Sequence, residues 1–344
     1  MAQTLQSRAI RYHNYGDPRE VLKLETISVS TDLKSGEVLV QWLAAPIDPL
    51  DMNLIEGNYA IRNSLPAIAG AEGVGRIEKL GAGVNGLEVG DRVLSLGSST
   101  WTEFAVVAET QLVKIRSDFD LISASQLLIN PPTAYCMLKF YEDLKPGQFV
   151  IQNAANSGVG RAVIQIAHAW NLKSINIVRD RLNIEALRQE LKSLGADYVF
   201  TESEFKSEGR KLVSSLGNSI KLAFNGVGGR SALAISASVA NDGTCVTYGG
   251  MSRQAHEFST GSLVFKNLKA VGYSNGRWLR DPANREKRNQ MFEELQELIV
   301  RGQLKPTPVQ THRLEDFAVG IAHQMEGKTG KQMILISDSA ACKI

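Results

Sequence analysis

The 344-residue chain has few of the side chains from which covalent or metal frameworks are built. Its three cysteines, Cys136, Cys245 and Cys342, stand far apart, which excludes a disulfide scaffold and offers no metal-ligand spacing. Such sparing use of cysteine fits a reducing compartment. The five histidines (His13, His168, His256, His312 and His323) are equally scattered. No apolar run reaches membrane-spanning length, and there is no low-complexity tract or internal repeat. The formal net charge of +2 is too small to mark nucleic acid or an anionic membrane as the main partner. The start, MAQTLQSRAIRYH, lacks the apolar core of a secretory signal. Arg8 and Arg11, with no acid before Asp17, give it a faint transit-peptide character. The strand-like RAIRYHNYG begins almost at once, so no long cleaved presequence is expected.

What the chain does have is ordered in two blocks. From about residue 8 to about residue 120 it is β-rich. EVLVQWLAAPI alternates and then turns apolar, GVGRIEKLG and GDRVLSLG are short runs bounded by glycine, and WTEFAVV follows. Such spacing predicts a barrel-like β domain. After Leu121, SASQLLINPPTAYCMLKFYEDLKPGQ has helical spacing on either side of a Pro-Pro interruption. Strand and helix signals then alternate through FVIQNAA, GRAVIQIAHAW, SINIVRD, IEALRQELKSLG, YVF, IKLAFNGVGG and TCVTYGG. That alternation predicts a doubly wound parallel sheet covered on both faces, an α/β fold. LVFKNLKAVGY is strand-like, REKRNQMFEELQELIVRGQL is a long amphipathic helix, and KTGKQMILISD is a last strand that returns to the β domain. The expected division is 1–122 with 308–344 for the β domain and 123–307 for the nucleotide-binding domain.

The most informative stretch is NSGVGRAVIQIAHAWNLKSINIVRDR, from Asn156 to Arg181. Gly158 and Gly160 sit in the turn between a strand and a helix. Glycine lets a pyrophosphate approach the main chain, and the helix start offers it free N–H groups and a positive dipole end. Only two of the three glycines of the full dinucleotide pattern are present, with Val163 in the third place. NAD-binding units often place an acid about 20 residues further on, against the adenosine ribose. Here Arg179 stands 21 positions after Gly158, followed by Asp180 and Arg181. A guanidinium there suits a 2′-phosphate and an acid would repel it, so the stretch predicts NADPH over NADH. Asp180 can instead hold a ribose hydroxyl, which keeps the other cofactor open at this point.

Taken together, NSGVGRAVIQIA, GAEGVGRIEKLGAGVNGLEVGDRV and LINPPTAYCML resemble the medium-chain dehydrogenase/reductase superfamily, over nearly the whole chain. The resemblance implies a GroES-like domain beside the Rossmann domain. Zinc alcohol dehydrogenases of that superfamily read Gly-His-Glu where this chain reads Gly70-Ala71-Glu72, and the four-cysteine zinc lobe has no counterpart, so no metal is expected. LAAPIDPLDMNLIEGNY, NPPTAY, QNAANSGVG, INIVRDR, VTYGGMSRQ and GKQMILI, in that order, are similar to the mitochondrial trans-2-enoyl-thioester reductases. These reduce 2-enoyl-CoA or 2-enoyl-acyl carrier protein with NADPH in mitochondrial fatty acid synthesis.

That resemblance implies a proton donor at Tyr59. It implies cofactor contacts at Asn130, at Asn156, Ser157, Gly158, Val159 and Gly160, and at Arg179, Asp180 and Arg181. Further contacts fall on Tyr248, Gly249, Gly250 and Met251, on Tyr273, Ser274, Asn275 and Gly276, and on Lys331. The GYSNGRW segment departs from the more aromatic pattern of the family. The resemblance also implies a mitochondrial homodimer, joined by the edges of two sheets, with an enoyl-CoA or enoyl-acyl carrier protein as substrate and neither nucleic acid nor membrane as partner.

The chemistry suits these residue types. Hydride attacks the β-carbon of an enoyl thioester, charge builds on the thioester oxygen, and a proton must reach the α-carbon. A phenol with an ordinary pKa near 10 is still protonated at neutral pH and can serve as that acid. Asn53 and Asn58 either orient Tyr59 or simply close turns. Trp278 and Phe265 are either core aromatics or lining of an acyl groove. Arg253, Lys266, Lys269, Arg277 and Arg280 are candidates for steering an acidic carrier protein. Two rivals share the turn and the arginines: an NADPH:quinone reductase, and a non-catalytic regulator that senses the nucleotide.

Overall fold

The computed structural model describes residues 3–327 and 330–337. It divides into two compact units, Met1–Ile129 with Pro306–Ile344, and Asn130–Lys305. The first opens with β1 (Thr4–Tyr12), α1 (Pro18–Val21), β2 (Lys23–Ser30), β3 (Glu37–Ile47), α2 (Pro49–Ile55), β4 (Ala67–Ile68), β5 (Val74–Leu80), β6 (Arg92–Ser95), β7 (Phe104–Ala108), β8 (Leu112–Ile115) and α3 (Leu121–Ser125). β3 is its central strand, pairing antiparallel with both β5 and β7. Ten of its eleven residues from Val38 onward follow the apolar pattern read in the sequence, and all but Gln41 of these are buried. Its Trp42 and Ile47 join Tyr12, Ile77 and Trp101 in one core cluster. α3 packs on β3 and β5 and so belongs to this unit; the division falls after Ile129 and not at residue 122.

The second unit contains α4 (Asn130–Phe140), β9 (Phe149–Gln152), α5 (Gly158–Ala169), β10 (Lys173–Val178), α6 (Ile184–Ser193), β11 (Tyr198–Thr201), α7 (Glu202–Glu204), α8 (Arg210–Leu216), β12 (Ile220–Asn225), α9 (Gly229–Ser236), β13 (Thr244–Thr247), α10 (Thr260–Phe265), β14 (Lys269–Gly272), α11 (Asn275–Arg280) and α12 (Arg285–Val300). Its six strands are all parallel, in the order β11-β10-β9-β12-β13-β14. From β9 the chain winds outward through β10 and β11, then crosses back to β12 and winds the other way. Ligands of such sheets bind outside the carboxyl ends of the strands at this reversal, here the ends of β9 and β12. The buried runs of β9, β10 and β12 are those expected of strands covered on both faces.

The chain then returns to the first unit as β15 (Val309–Arg313), α13 (Phe317–Glu326) and β16 (Lys331–Leu335). β16 pairs parallel with β15 and antiparallel with β3, so the terminal strand does rejoin the β domain.

Two local expectations are corrected. The Pro-Pro pair does not interrupt a helix: it lies in the first turn of α4, where the missing N–H costs nothing. The LVF of LVFKNLKAVGY is helical, because Ser259 caps α10 by accepting from the Ser262 N–H at 3.2 Å; only Lys269–Gly272 forms a strand.

Candidate active site

In the second unit the turn after β9 is built for close approach. Ser157 caps α5, its Oγ accepting from the Gly160 N–H at 3.1 Å. The amides of Gly158 and Val159 precede the helical hydrogen-bond ladder and are directed out of the helix start. A Cβ on Gly160 would come within 2.6 Å of Ala154 O and of the Ala155 backbone, so glycine is what seats α5 against the strand turn. A Cβ on Gly158 would meet the Asn130 side chain at 2.7 Å, which places the Asn130 amide directly against the turn. Gln152, wholly buried, fixes the arrangement from below: its Nε2 donates to Gly160 O at 2.9 Å and to Asn176 Oδ1 at 2.7 Å.

At the end of β10, Arg179 and Arg181 are exposed, and among the described residues neither is ion-paired. The acid between them is turned away. Asp180 Oδ2 accepts from Ser203 Oγ at 3.0 Å, and hydrogen bonds from Thr201 and Ser203 hold its carboxyl below the usual carboxylate range. A doubly cationic strand end with its carboxylate engaged elsewhere fits a phosphomonoester better than a bare ribose diol.

The strand reversal itself carries a polar lock that the sequence reading missed. Asn153 Nδ2 donates to Asn225 Oδ1 at 2.9 Å, and Asn153 Oδ1 accepts from the Gly226 N–H at 2.8 Å. Asn225 Oδ1 also accepts from the Gly228 N–H at 3.0 Å, and its Nδ2 donates to Thr247 Oγ1 at 3.2 Å. The ends of β9, β12 and β13 are thereby tied together. A visible signal existed: FVIQN and IKLAFN each end a buried apolar run on an amide.

Beside this lock, the Tyr248 hydroxyl is buried within reach of Gly226, and burial pushes it up to about 12. Gly249 lies against the Gly226 backbone, while Gly250 and Met251 are exposed. Of the GYSNG segment, Tyr273 is a core residue. Its ring is buried, its hydroxyl donates to Asn275 Oδ1 at 3.0 Å, and burial raises it far above the ordinary tyrosine range. Ser274 and Gly276 are half-buried at the start of α11.

The other two expected site residues lie in the first unit. Tyr59 is 36% exposed on the loop after α2, and among the described residues none hydrogen-bonds its hydroxyl. Lys331, at the start of β16, is 10% exposed, and its ammonium is ion-paired with Asp48 and lies 3.9 Å from Glu72. Where the resemblance implies a nucleotide contact, the geometry shows a buried counter-ion. Asp51 completes the cluster, accepting from the Asp48 and Ala71 N–H groups at 2.7 Å each. Burial, then the Asp48 charge, pushes Asp51 up to about 8 and raises Glu72 as well. Burial draws Lys331 down, but Asp48 and Glu72 outweigh it and its ammonium is held above the ordinary lysine value. Asp48 Oδ2 and Glu72 Oε1 are buried with no hydrogen-bond partner, an arrangement that one proton shared by the two carboxyls satisfies.

Residues 34–117 match the alcohol dehydrogenase GroES-like domain family, and residues 158–297 match the family described as zinc-binding dehydrogenase. The mitochondrial enoyl-[acyl-carrier-protein] reductase of Caenorhabditis elegans is 48% identical over 343 residues, 99% of each chain. The chain belongs to the enoyl-[acyl-carrier-protein] reductases of the medium-chain dehydrogenase/reductase superfamily.

Solved structures of enoyl reductases agree with this family's fold. The mitochondrial 2-enoyl thioester reductase Etr1p/Etr2p heterodimer from Candida tropicalis gives a TM-score of 0.89 at 29% identity, covering 96% of this chain and 100% of that one. The Etr1p/NADP/crotonyl-CoA complex gives 0.88 at 29% identity with the same coverage. Although one matched family is described as zinc-binding, no group of three or more His, Cys, Asp or Glu side chains that could hold a metal occurs among the described residues of this reductase.

Proposed function

We propose that the protein reduces the C2=C3 double bond of trans-2-enoyl thioesters, carried on CoA or on acyl carrier protein, to the saturated acyl thioester. The observation that carries this reading is the full-length relationship to the enoyl-[acyl-carrier-protein] reductases. Relatives are named mitochondrial, which supports assigning this chain to the same compartment and to mitochondrial fatty acid synthesis.

NADPH, when bound, supplies the hydride that adds to the β-carbon. The protein's part is to hold and to protonate. The α5 turn at Asn156–Gly160 takes the pyrophosphate on its main-chain N–H groups, with Asn130 packed beside it. Arg179 and Arg181 take the 2′-phosphate. The Asn153–Asn225 lock keeps the Gly226–Gly229 segment fixed at the strand ends, so that Tyr248, Gly249 and Gly250 present a rigid wall. Tyr59 gives a proton to the α-carbon, which completes addition across the double bond. Its hydroxyl is not committed to another group of the described residues and needs no prior ionisation.

For an acidic carrier protein the exposed guanidinium groups of Arg277 and Arg280 are candidate cations, while Lys269 lies 3.9 Å from Glu142. Lys266 is not one of them, since its ammonium donates to Ala237 O and Val239 O at 3.0 Å each. We also propose a homodimer joined along β14, the terminal strand of the parallel sheet. Val264 and Phe265 stand 64% and 85% exposed just before that edge, a placement that favours a covered surface.

The test is a steady-state assay of NADPH oxidation with crotonyl-CoA and with a quinone, repeated with NADH. Turnover of crotonyl-CoA with NADPH preferred over NADH is expected. Turnover of quinone alone assigns a quinone reductase, and nucleotide binding without turnover of either substrate assigns a sensor.

A further inference from the structure

We infer that Tyr15 is a positioning residue for the catalytic tyrosine, acting by clasping both ends of the loop that carries it. This rests on the assignment of Tyr59 as the proton donor. Tyr59 lies between Gly57 and Asn63, and its hydroxyl has no hydrogen-bond partner among the described residues. Its position is therefore set by its loop. Tyr15, on the segment between β1 and α1, meets that loop on both sides.

On the entering side, Gly57 adopts φ +72°, and a Cβ there would lie 2.9 Å from Tyr15 Cγ, so the main chain is in contact with the ring. The neighbouring Gly16 N–H donates to Ile55 O at 3.1 Å, and the Asn58 N–H donates to Asn53 O at 3.0 Å. On the leaving side, the Tyr15 hydroxyl donates to Asn63 O at 2.5 Å. The Arg62 guanidinium covers the Tyr15 ring at 5.5 Å. A second tyrosine continues the clasp inward: Asn63 Nδ2 donates to the Tyr12 hydroxyl at 2.9 Å, and Tyr12 is wholly buried in the β-domain core. The rings of Tyr12 and Tyr15 lie 6.1 Å apart. The loop is thus tied at two points to one rigid aromatic pair, leaving only the short arc through Tyr59 free.

Removing the Tyr15 hydroxyl opens the leaving side while the ring stays in place. A positioning role acts only through the Tyr59 hydroxyl, so its loss matters only when that hydroxyl is present. The experiment is a double-mutant cycle with crotonyl-CoA and NADPH: wild type, Tyr15→Phe, Tyr59→Phe and both together, with kcat and the KM for NADPH measured for each. Tyr15→Phe is expected to lower kcat on the order of tenfold with the KM for NADPH unchanged, and to cause no further loss in the Tyr59→Phe background. Asn63→Ala, which keeps the main-chain carbonyl but releases the Tyr12 contact, is expected to act in the same direction and serves if Tyr15→Phe does not fold. Full kcat in both single variants of the clasp, or an equal loss in both backgrounds, overturns the inference. An unaltered kcat in Tyr59→Phe alone overturns the proton-donor assignment, and the inference with it.

Discussion

Arg179 and Arg181 bear on cofactor choice through charge. They stand exposed at the end of β10 without an ion-pair partner among the described residues, while Asp180 between them is engaged by Ser203. Replacing Arg179 removes a cation that we assign to the 2′-phosphate of NADPH and that NADH has no group to meet. Arg179→Ala should therefore raise the KM for NADPH on the order of tenfold and leave that for NADH nearly unchanged, read from initial rates with each nucleotide. Equal changes for both would show that Arg179 merely solvates the strand end.

The buried cluster around Lys331 makes a prediction of another kind. Asp51 and Glu72 titrate above their ordinary range in the folded protein, Asp51 at about 8. Both bind a proton more tightly folded than unfolded. Their contribution to stability is whole below the unfolded value, roughly pH 4, and is lost as pH rises through the folded value. The melting temperature of the wild type should fall as pH rises from about 4 to about 8, the window set by Asp51. Glu72→Gln replaces the shared proton by an amide N–H that no base removes in this range, so this variant should lose less over the same interval. Parallel melting curves would remove Glu72 from the account.

At the scale of elements, the β9–turn–α5 join bears on stability and, in the proposed site, on nucleotide binding. Its two glycines differ in what a methyl group would strike. At Gly160 the obstacle is backbone, Ala154 O and Ala155 Cα at 2.6 Å, which cannot step aside. At Gly158 it is the end of the Asn130 side chain at 2.7 Å, which can swing. Gly160→Ala should cost about 1–3 kcal/mol in denaturant unfolding by lifting α5 from the strand turn. Gly158→Ala should cost less stability but impair turnover through the displaced Asn130. The reverse ranking would contradict the seating of the helix described above.

The same join shows why some of the architecture was legible and some was not. FVIQNAA, the glycine turn and GRAVIQIAHAW are contiguous, so periodicity and turn chemistry alone located the nucleotide-binding half. The Asn153–Asn225 bond joins residues 72 apart, and the Lys331–Asp48 pair joins residues 283 apart. No local pattern carries such pairings. Lys331 was approached only by resemblance, which could not show its ammonium tied to Asp48. α10 was misread for a different reason: three apolar residues in a row satisfy a strand or the last turn of a short helix, and the Ser259 cap decided between them.

For the whole molecule, the terminal strand of the parallel sheet is where a second chain bears on the argument. β14 is short and mostly exposed, and α10 just before it presents Leu263, Val264 and Phe265 to solvent at 42%, 64% and 85%. An uncovered sheet edge beside an apolar patch is a pairing template. In the proposed homodimer a two-fold axis across β14 would extend the sheet into the second subunit and would cover each Phe265 patch, as a self-complementary interface requires. A relative of the same fold is a heterodimer, so two-chain assembly is compatible with it. Phe265→Glu places a charge on each side of that axis, where the two copies repel. The wild type should elute as a dimer in size-exclusion chromatography with light scattering, and the variant as a monomer at micromolar concentration, with the nucleotide affinity of each unit retained because the β9–α5 turn lies at the sheet's reversal point and not at its edge. A variant that remained dimeric would place the interface elsewhere, and the exposed Phe265 would then need another partner.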